Sequence, residues 1–206
     1  MASVEKIPDI VVERLPLYLR ALGQLLAQGK TITSSHELGQ RLGISSAQIR
    51  KDLSQFGDFG KQGTGYQIIH LQTHLKQILK VDREWAMIVV GAGDLGKALT
   101  HYRGFVQRGF RVIAAFDNDP SRLGQVGDIE VMPTEQMTEF VKRNKVKIAM
   151  LAVPSEVAQE VADKLVDAGV RALLNYAPIT LTVPAHVKVE YIDPVMHLQH
   201  MTYYLD

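Results

Sequence analysis

The 206-residue chain contains no cysteine, which excludes disulfides, cysteine-ligated zinc, iron–sulfur clusters and thiol chemistry together. Aromatic residues make up only 7%, with a single tryptophan. No apolar run approaches the roughly 18 residues that a membrane span needs. The first residues, with Glu5, Pro8, Asp9 and Glu13 spread through them, lack the basic-then-apolar order of a signal peptide, so the expected location is cytoplasmic. Net charge is nearly absent as well, at +1 from 23 Lys and Arg against 22 Asp and Glu. That average hides segregation: residues 1–80 hold 10 basic and 6 acidic side chains, and residues 81–206 hold 13 and 16. A basic block of +4 precedes an acidic block of −3, which makes the first block the candidate for an anionic partner. What is present is an ordinary 46% of hydrophobic residues, enough for one large or two small domains.

In the basic block, Ile10, Val11, Leu15, Leu19, Leu22, Leu25 and Leu26 recur at helical spacing before Gly29, predicting a helix over 10–28. Ser34-Ser35-His36-Glu37 reads as a capping box opening a short helix that ends at Gly43. Ser45-Ser46-Ala47-Gln48 reads as a second capping box, opening a helix through Ile49, Leu53 and Phe56. Two short helices across a glycine turn make a helix-turn-helix. The outer side of the second presents Ser45, Ser46, Gln48, Arg50, Lys51 and Ser54, groups that reach phosphates and base edges. Phe59-Gly60-Lys61-Gln62-Gly63-Thr64-Gly65-Tyr66 then predicts a tight hairpin with Lys61, Gln62 and Gly63 at its tip, continuing into Gln67-Ile68-Ile69. Helices followed by a basic hairpin read as a winged helix that binds double-stranded DNA. The alternative is a small helical domain with a solvated face. His70 and His74 share a helix face, but no further ligand accompanies them, so no metal site is expected.

After a linker over 80–84, Trp85-Ala86-Met87-Ile88-Val89-Val90 is a continuous apolar run, as expected for a strand buried on both faces of a parallel sheet. It leads into Gly91-Ala92-Gly93-Asp94-Leu95-Gly96, a helical pattern through Leu99, Tyr102 and Phe105, and a strand over 111–116 ending in Asp117, 21 residues beyond the last glycine. In that order these features form a dinucleotide fingerprint. Gly91 allows the turn, Gly93 lets the backbone approach a pyrophosphate, and Gly96 lets helix pack on strand. Asp117 is expected to accept from both ribose hydroxyls and to repel a 2′-phosphate, favouring NAD(H); Arg122 lies too far along to count against this. Asp94 places a negative charge in the loop, with Lys97 to offset it. Helices over 134–144 and 155–168 and strands over 147–152, 171–174 and 187–192 continue a doubly wound α/β pattern, so the fold class is a Rossmann-like parallel sheet behind the winged helix. Val153-Pro154 and Ala177-Pro178 fall at strand carboxyl ends, where a nicotinamide ring would lie.

Neither pair supplies an acid, a base or a nucleophile, and the 126 residues from 81 onward leave no room for a substrate domain. The expectation is therefore a regulator without catalytic residues. Two rivals stay open: an NAD-dependent dehydrogenase, which would need a catalytic acid near Val153 or Asn175, and a regulator binding coenzyme A or another nucleotide. From Asp193-Pro194 a last helix carries a stripe of Val195, Leu198, Met201, Tyr204 and Leu205. The pattern favours packing on its own domain, whereas a symmetric DNA reader favours exchange with a second subunit. The domains are read as 1–80, 81–192 and 193–206.

Arg14-Leu15-Pro16-Leu17-Tyr18, the run from Ser46 to Leu53, Phe56-Gly57-Asp58 through Tyr66, the glycine fingerprint, Phe116-Asp117, Val153-Pro154 and Leu174-Asn175-Tyr176-Ala177-Pro178 occur in an order that resembles the bacterial Rex-type redox-sensing transcriptional repressors over essentially the whole chain. The resemblance implies a homodimer with a swapped C-terminal helix, bound to a palindromic operator. It implies that NADH, as an effector and not a cosubstrate, releases the DNA, while NAD+ competes and permits repression. It also implies that Arg14, Tyr102 and Asp193 change polar partners between the two states. Pro194, Met196 and His197 depart from the related pattern. A pocket lined by Val153, Pro154, Ala177 and Pro178 is expected to favour the neutral reduced ring over the cationic oxidised one.

Overall fold

Val11, Leu15, Tyr18, Leu22 and Leu25, three or four residues apart, bury one face of helix α1 (Asp9–Ala27). The computed structural model that shows this describes residues 7–60 and 64–205. Strand β1 (Ile32–Thr33) leads to helices α2 (Ser35–Leu42) and α3 (Ser46–Ser54), whose starts are capped by Ser34 and Ser45 accepting the amides of Glu37 and Gln48. Gly43, at φ 68°, closes the turn between them. The second half of each expected capping box is used elsewhere. The Glu37 carboxylate accepts from the buried Thr33 hydroxyl and from Lys30, and the Gln48 amide donates to Asp52.

The hairpin expectation needs revision too. Strand β2 (Tyr66–Gln67) pairs antiparallel with β1, where the reading had it continue a hairpin through Ile69. Ile68 donates its amide to Thr31 and opens helix α4 (Ile68–Ile78), burying Ile68, Leu71 and Leu75 against α1. Phe56 lies beyond the end of α3. The expected tip residues Lys61, Gln62 and Gly63 lie outside the described residues.

The chain divides into two units between Arg83 and Glu84. In the second, β3 (Trp85–Val90), α5 (Asp94–Thr100), β4 (Phe110–Asp117), β5 (Gly124–Val126), β6 (Ile129–Pro133), α6 (Met137–Asn144), β7 (Ile148–Leu151), α7 (Ser155–Ala168), β8 (Ala172–Asn175), β9 (Lys188–Tyr191) and α8 (Pro194–Thr202) follow one another. The sheet order is β5-β6-β4-β3-β7-β8-β9, parallel throughout except for β5, which runs antiparallel on the edge of β6. The sequence reading placed no strand over 124–133, because this short hairpin lacks an apolar run. The sheet is accordingly mixed at one edge and not wholly parallel. Ile88, Val90, Ala114 and Phe116 face α6 and α7, while Met87, Val89, Val112 and Ala115 face the side of Leu99 and Phe105.

Helix α5 stops at Thr100, short of the expected Phe105; beyond it the Tyr102 ring folds over Gly104 and occupies the space of any side chain there. Asp193 caps α8 through the Val195 amide at 2.9 Å. No residue of α8 is buried, and Val195, Leu198 and Met201 are each more than half exposed. The stripe therefore does not enter the core of its own domain, contrary to what its pattern favoured.

One buried charged group ties α3 to α1. Asp52, on the inner side of α3 and 0% exposed, accepts from Arg14 Nε at 2.6 Å and Nη2 at 2.8 Å, the Tyr18 hydroxyl at 2.5 Å and Gln48 Nε2 at 2.7 Å. Burial pushes its carboxyl up, but these donors outweigh burial and hold it below the usual carboxylate range. A depressed acid stabilises the fold above its unfolded pKa, near 4, and that stability is lost as pH falls through the folded value. We expect Asp52→Asn to lower the stability of this unit at neutral pH by roughly 3 kcal/mol. Its urea midpoint should also fall less than the wild type's on acidification to about pH 3.

Candidate functional site

The outward side of α3 carries the exposed Ser45, Arg50, Lys51 and Ser54, with Ser46 half-buried in the first turn. Arg50 Nη1 donates to Ser35 Oγ at 3.1 Å, steadying the guanidinium against α2. The Ser54 hydroxyl donates to the Lys51 carbonyl. Gln48, read as an outward group, is half-buried and spends its amide on Asp52. The face is thus two hydroxyls and two cations on a helix whose orientation Arg14, Tyr18 and Asp52 set from behind. The sequence reading missed Tyr18 and Asp52 as site-forming groups. The available signal was an acid between Ile49 and Leu53, on the stripe that must be buried.

In the second unit the chain turns one way from β3 to β4 and the other way to β7, leaving a crevice at the strand carboxyl ends. A cleft of about 520 Å³ there is lined by Gly91, Gly93, Asp117, Arg122, Val153 and Pro154, with Met137, Val157 and Val161 as apolar wall and the ion-paired Glu160 and Lys164 among its lining. The glycines differ in task. A Cβ on Gly91, at φ +94°, would lie 2.2 Å from the Ala152 carbonyl oxygen, and one on Gly96 would lie 1.8 Å from that of Gly91. A Cβ on Gly93 would meet nothing nearer than Arg122 Nη1 at 3.8 Å, so Gly93 is bare toward the cleft and not toward the protein. Ala92 is buried, whereas Asp94 and Leu95 are exposed at the start of α5.

Asp117, 3% exposed, is locked to this loop. Its Oδ2 accepts the Ala92 amide at 2.6 Å and Arg122 Nη1 at 3.3 Å, and its Oδ1 accepts the Asp119 amide at 2.8 Å. Burial raises its pKa, but the Asp119 and Ala92 amides and then Arg122 prevail and keep it below the ordinary range. A carboxylate offers about four acceptor sites. Three of these are filled in this structure, by Ala92, Asp119 and Arg122. Arg122, set aside on sequence spacing, also reaches Asp119 Oδ2 at 3.3 Å and lines the cleft.

Ala177 is buried in the core and Pro178 is exposed; neither is among the residues lining this cleft. The buried Asn175 shapes their loop, accepting the Ala177 amide and donating to the carbonyls of Ala177 and Ile179 at 3.0 Å. Of the three residues expected to act as a switch, Arg14 is bonded to Asp52, the Tyr102 hydroxyl accepts from Arg108 at 3.2 Å, and Asp193 caps α8. Among the described residues no cluster of His, Asp and Glu could hold a metal ion. The His70 and His74 rings contact each other in a tilted arrangement, their centroids 4.2 Å apart.

The glycine geometry makes a paired prediction for thermal unfolding. Gly96→Ala should destabilise the second unit by about 3 kcal/mol or more, because its methyl meets backbone that cannot yield. Gly93→Ala should change stability by less than about 1 kcal/mol, while its methyl projects into the cleft.

The comparisons with known proteins match this division. Residues 6–54 match the family described as "Putative DNA-binding protein N-terminus", and residues 82–179 match the family described as "CoA binding domain". The redox-sensing transcriptional repressor Rex of Chloroflexus aggregans is 49% identical over 206 residues, covering 100% of this chain and 97% of that protein. Its counterpart in Roseiflexus sp. is 50% identical over 100% of this chain and 94% of its own. The crystal structure of RSP with NAD+ and operator DNA superposes with a TM-score of 0.92 at 40% identity, covering 97% of this chain and 92% of that one. RSP with NADH gives 0.89 at 37% identity, over 97% and 94%. With identity near one half along its whole length, the chain belongs to the Rex family of redox-sensing transcriptional repressors.

Proposed function

We propose that this protein is a homodimeric repressor that holds a palindromic operator through α3 and releases it when NADH occupies the cleft between β3, α5 and β4. The reading is carried by one observation: a cationic helix face in one unit and a cleft over the glycine loop in the other, on a chain similar to RSP, which has been solved with NAD+ and operator DNA and with NADH. Such a regulator works where the chromosome is, in the bacterial cytoplasm.

The residues present fit the effector. Gly93 leaves backbone open for a pyrophosphate, Asp117 has one acceptor site left for ribose, and Val153 and Pro154 supply an apolar wall. An apolar wall disfavours a cationic nicotinamide more than a neutral one, since a charge loses more than a neutral ring on leaving water. Differential affinity of this kind is what a ligand needs to shift a two-state equilibrium. We assign the partner of the exposed α8 stripe to a second copy of the chain, with Arg14, Tyr102 and Asp193 exchanging their present partners as the state changes. Ala177 and Pro178 join the nicotinamide end of the pocket in the closed state.

A palindromic duplex selected from random sequence, titrated with NADH and with NAD+, tests this. NADH should weaken DNA binding at concentrations where NAD+ does not. Equal effects of the two, release by coenzyme A in place of NADH, or turnover of an alcohol or hydroxy acid would refute it. Arg50→Ala and Lys51→Ala should weaken binding to all duplexes and each reduce the slope of log affinity against log salt by about one phosphate contact. Leu198→Asp with Met201→Asp should convert the dimer to monomers in sedimentation.

A further inference from the structure

We propose that Ser35 is a positioning residue for DNA binding: it holds the Arg50 guanidinium ready for a phosphate, so that α2 strengthens the interface without supplying a contact of its own. The inference rests on the operator reading above. Arg50 and Lys51 are adjacent cations on the exposed side of α3, yet they are held differently. Arg50 Nη1 donates to Ser35 Oγ at 3.1 Å, across 15 residues of sequence. Lys51 is exposed, and the bond that Ser54 makes to it ends on the backbone carbonyl. Burial raises the pKa of the Tyr66 hydroxyl and the Arg50 charge opposes that rise, so the guanidinium is also within electrostatic reach of β2. One cation of the pair is tethered between elements, and the other extends from α3 alone.

Ser35 can serve in this way because its surroundings are fixed. Ser34 takes the capping role, accepting the Glu37 amide at 3.1 Å, which leaves the half-buried Ser35 hydroxyl in the first turn of α2 for a tertiary partner. A Cβ on Gly39 would collide with the Ile44 carbonyl oxygen, so α2 lies tight against the turn that leads into α3. Backbone packing therefore sets the separation of Ser35 from Arg50. A long side chain on an open helix face is spread over many rotamers, and a phosphate that captures it must order it at a cost in affinity. Ser35 does part of that ordering in the free protein. A guanidinium holds several donors in one rigid fork, so spending one on a hydroxyl leaves others for phosphate oxygens. The number of phosphates neutralised does not change; the strength with which one of them is held does. The two quantities separate experimentally, because the salt dependence of binding counts neutralised phosphates.

The test uses the full-length chain and the selected palindromic duplex, with affinity measured by fluorescence anisotropy over a range of salt concentrations. Ser35→Ala should weaken binding roughly fivefold, the ordering cost of one rotamer-rich side chain, and leave the slope of log affinity against log salt as in the wild type. Ser35→Thr, which restores a hydroxyl, should bind within about twofold of wild type. In Arg50→Ala, whose slope has already lost its contact, adding Ser35→Ala should weaken binding by no more than about twofold. A Ser35→Ala protein that binds within about twofold of wild type overturns the proposal, as does a Ser35→Thr protein that binds no tighter than Ser35→Ala. A loss that persists in full without Arg50 also overturns it, because Ser35 then acts on the DNA or the fold in its own right. So does a slope reduced by Ser35→Ala, since Arg50 has then lost its phosphate and not its ordering. A wild-type chain that binds no duplex removes the operator reading and this inference with it. A chain that binds the duplex and releases it to NADH while failing the Ser35 arm removes this inference alone.

Discussion

A carboxylate taken out of water must be given donors by the protein, and each unit of this chain is arranged around one such group. Desolvating the ion costs several kcal/mol unless hydrogen bonds replace its hydration. Asp52 draws its donors from α1 and α3, which fixes the angle at which α3 presents Arg50 and Lys51. Asp117 draws its own from the glycine loop and from the turn after β4, which fixes the glycine loop against the carboxyl end of β4. In both cases the acid does not itself form the outward surface. It dictates where that surface lies.

The charge asymmetry acquires a physical sense from this arrangement. The basic block places cations on an exposed helix, where long-range attraction to a polyanion is useful and decreases with salt. The acidic block offers an anion its backbone instead, through a loop kept bare by Gly93 and tight by Gly91 and Gly96. Fixed amides lose little on binding, since they are already ordered, so the second unit can carry a net charge of the wrong sign and still fit a pyrophosphate. An average of +1 over the chain describes neither behaviour.

Most of the fold was legible because its elements are marked by strong local chemistry. Trp85 to Val90 is an uninterrupted apolar run and becomes the central strand; Ser34 and Ser45 cap helices where their spacing said they would. Where the reading failed, tertiary partners decided. Residues 124–133 form two strands because the β4 edge needs pairing, and Gln48 turns inward because the buried Asp52 demands another donor. Asp117 was legible from its distance to the glycines, whereas Arg122 was not. Nothing local to Pro120-Ser121-Arg122 announces that the turn brings this side chain back across the loop. Ion pairs that close a turn depend on backbone direction, which periodicity does not encode.

The proposed switch has to work from this starting point. Among the described residues every buried side-chain nitrogen and oxygen has a partner, so no buried side chain offers an unpaired polar atom for an effector to relieve. What is unsatisfied is apolar: α8 buries none of its residues, and Leu95 on α5 and Val106 after it are also about half exposed. Burying such surface is worth roughly 25 cal/mol for each Å². A few hundred Å² covered differently in two states of a dimer therefore amounts to several kcal/mol, about the 5.5 kcal/mol that moves a population from one extreme to the other. Exposed apolar surface is cheap to rearrange because it has no fixed partner. On the proposed function, the energy that couples effector to DNA is carried by the contacts of α8 with a second copy, with the polar residues Arg14, Tyr102 and Asp193 selecting which of two such packings is kept.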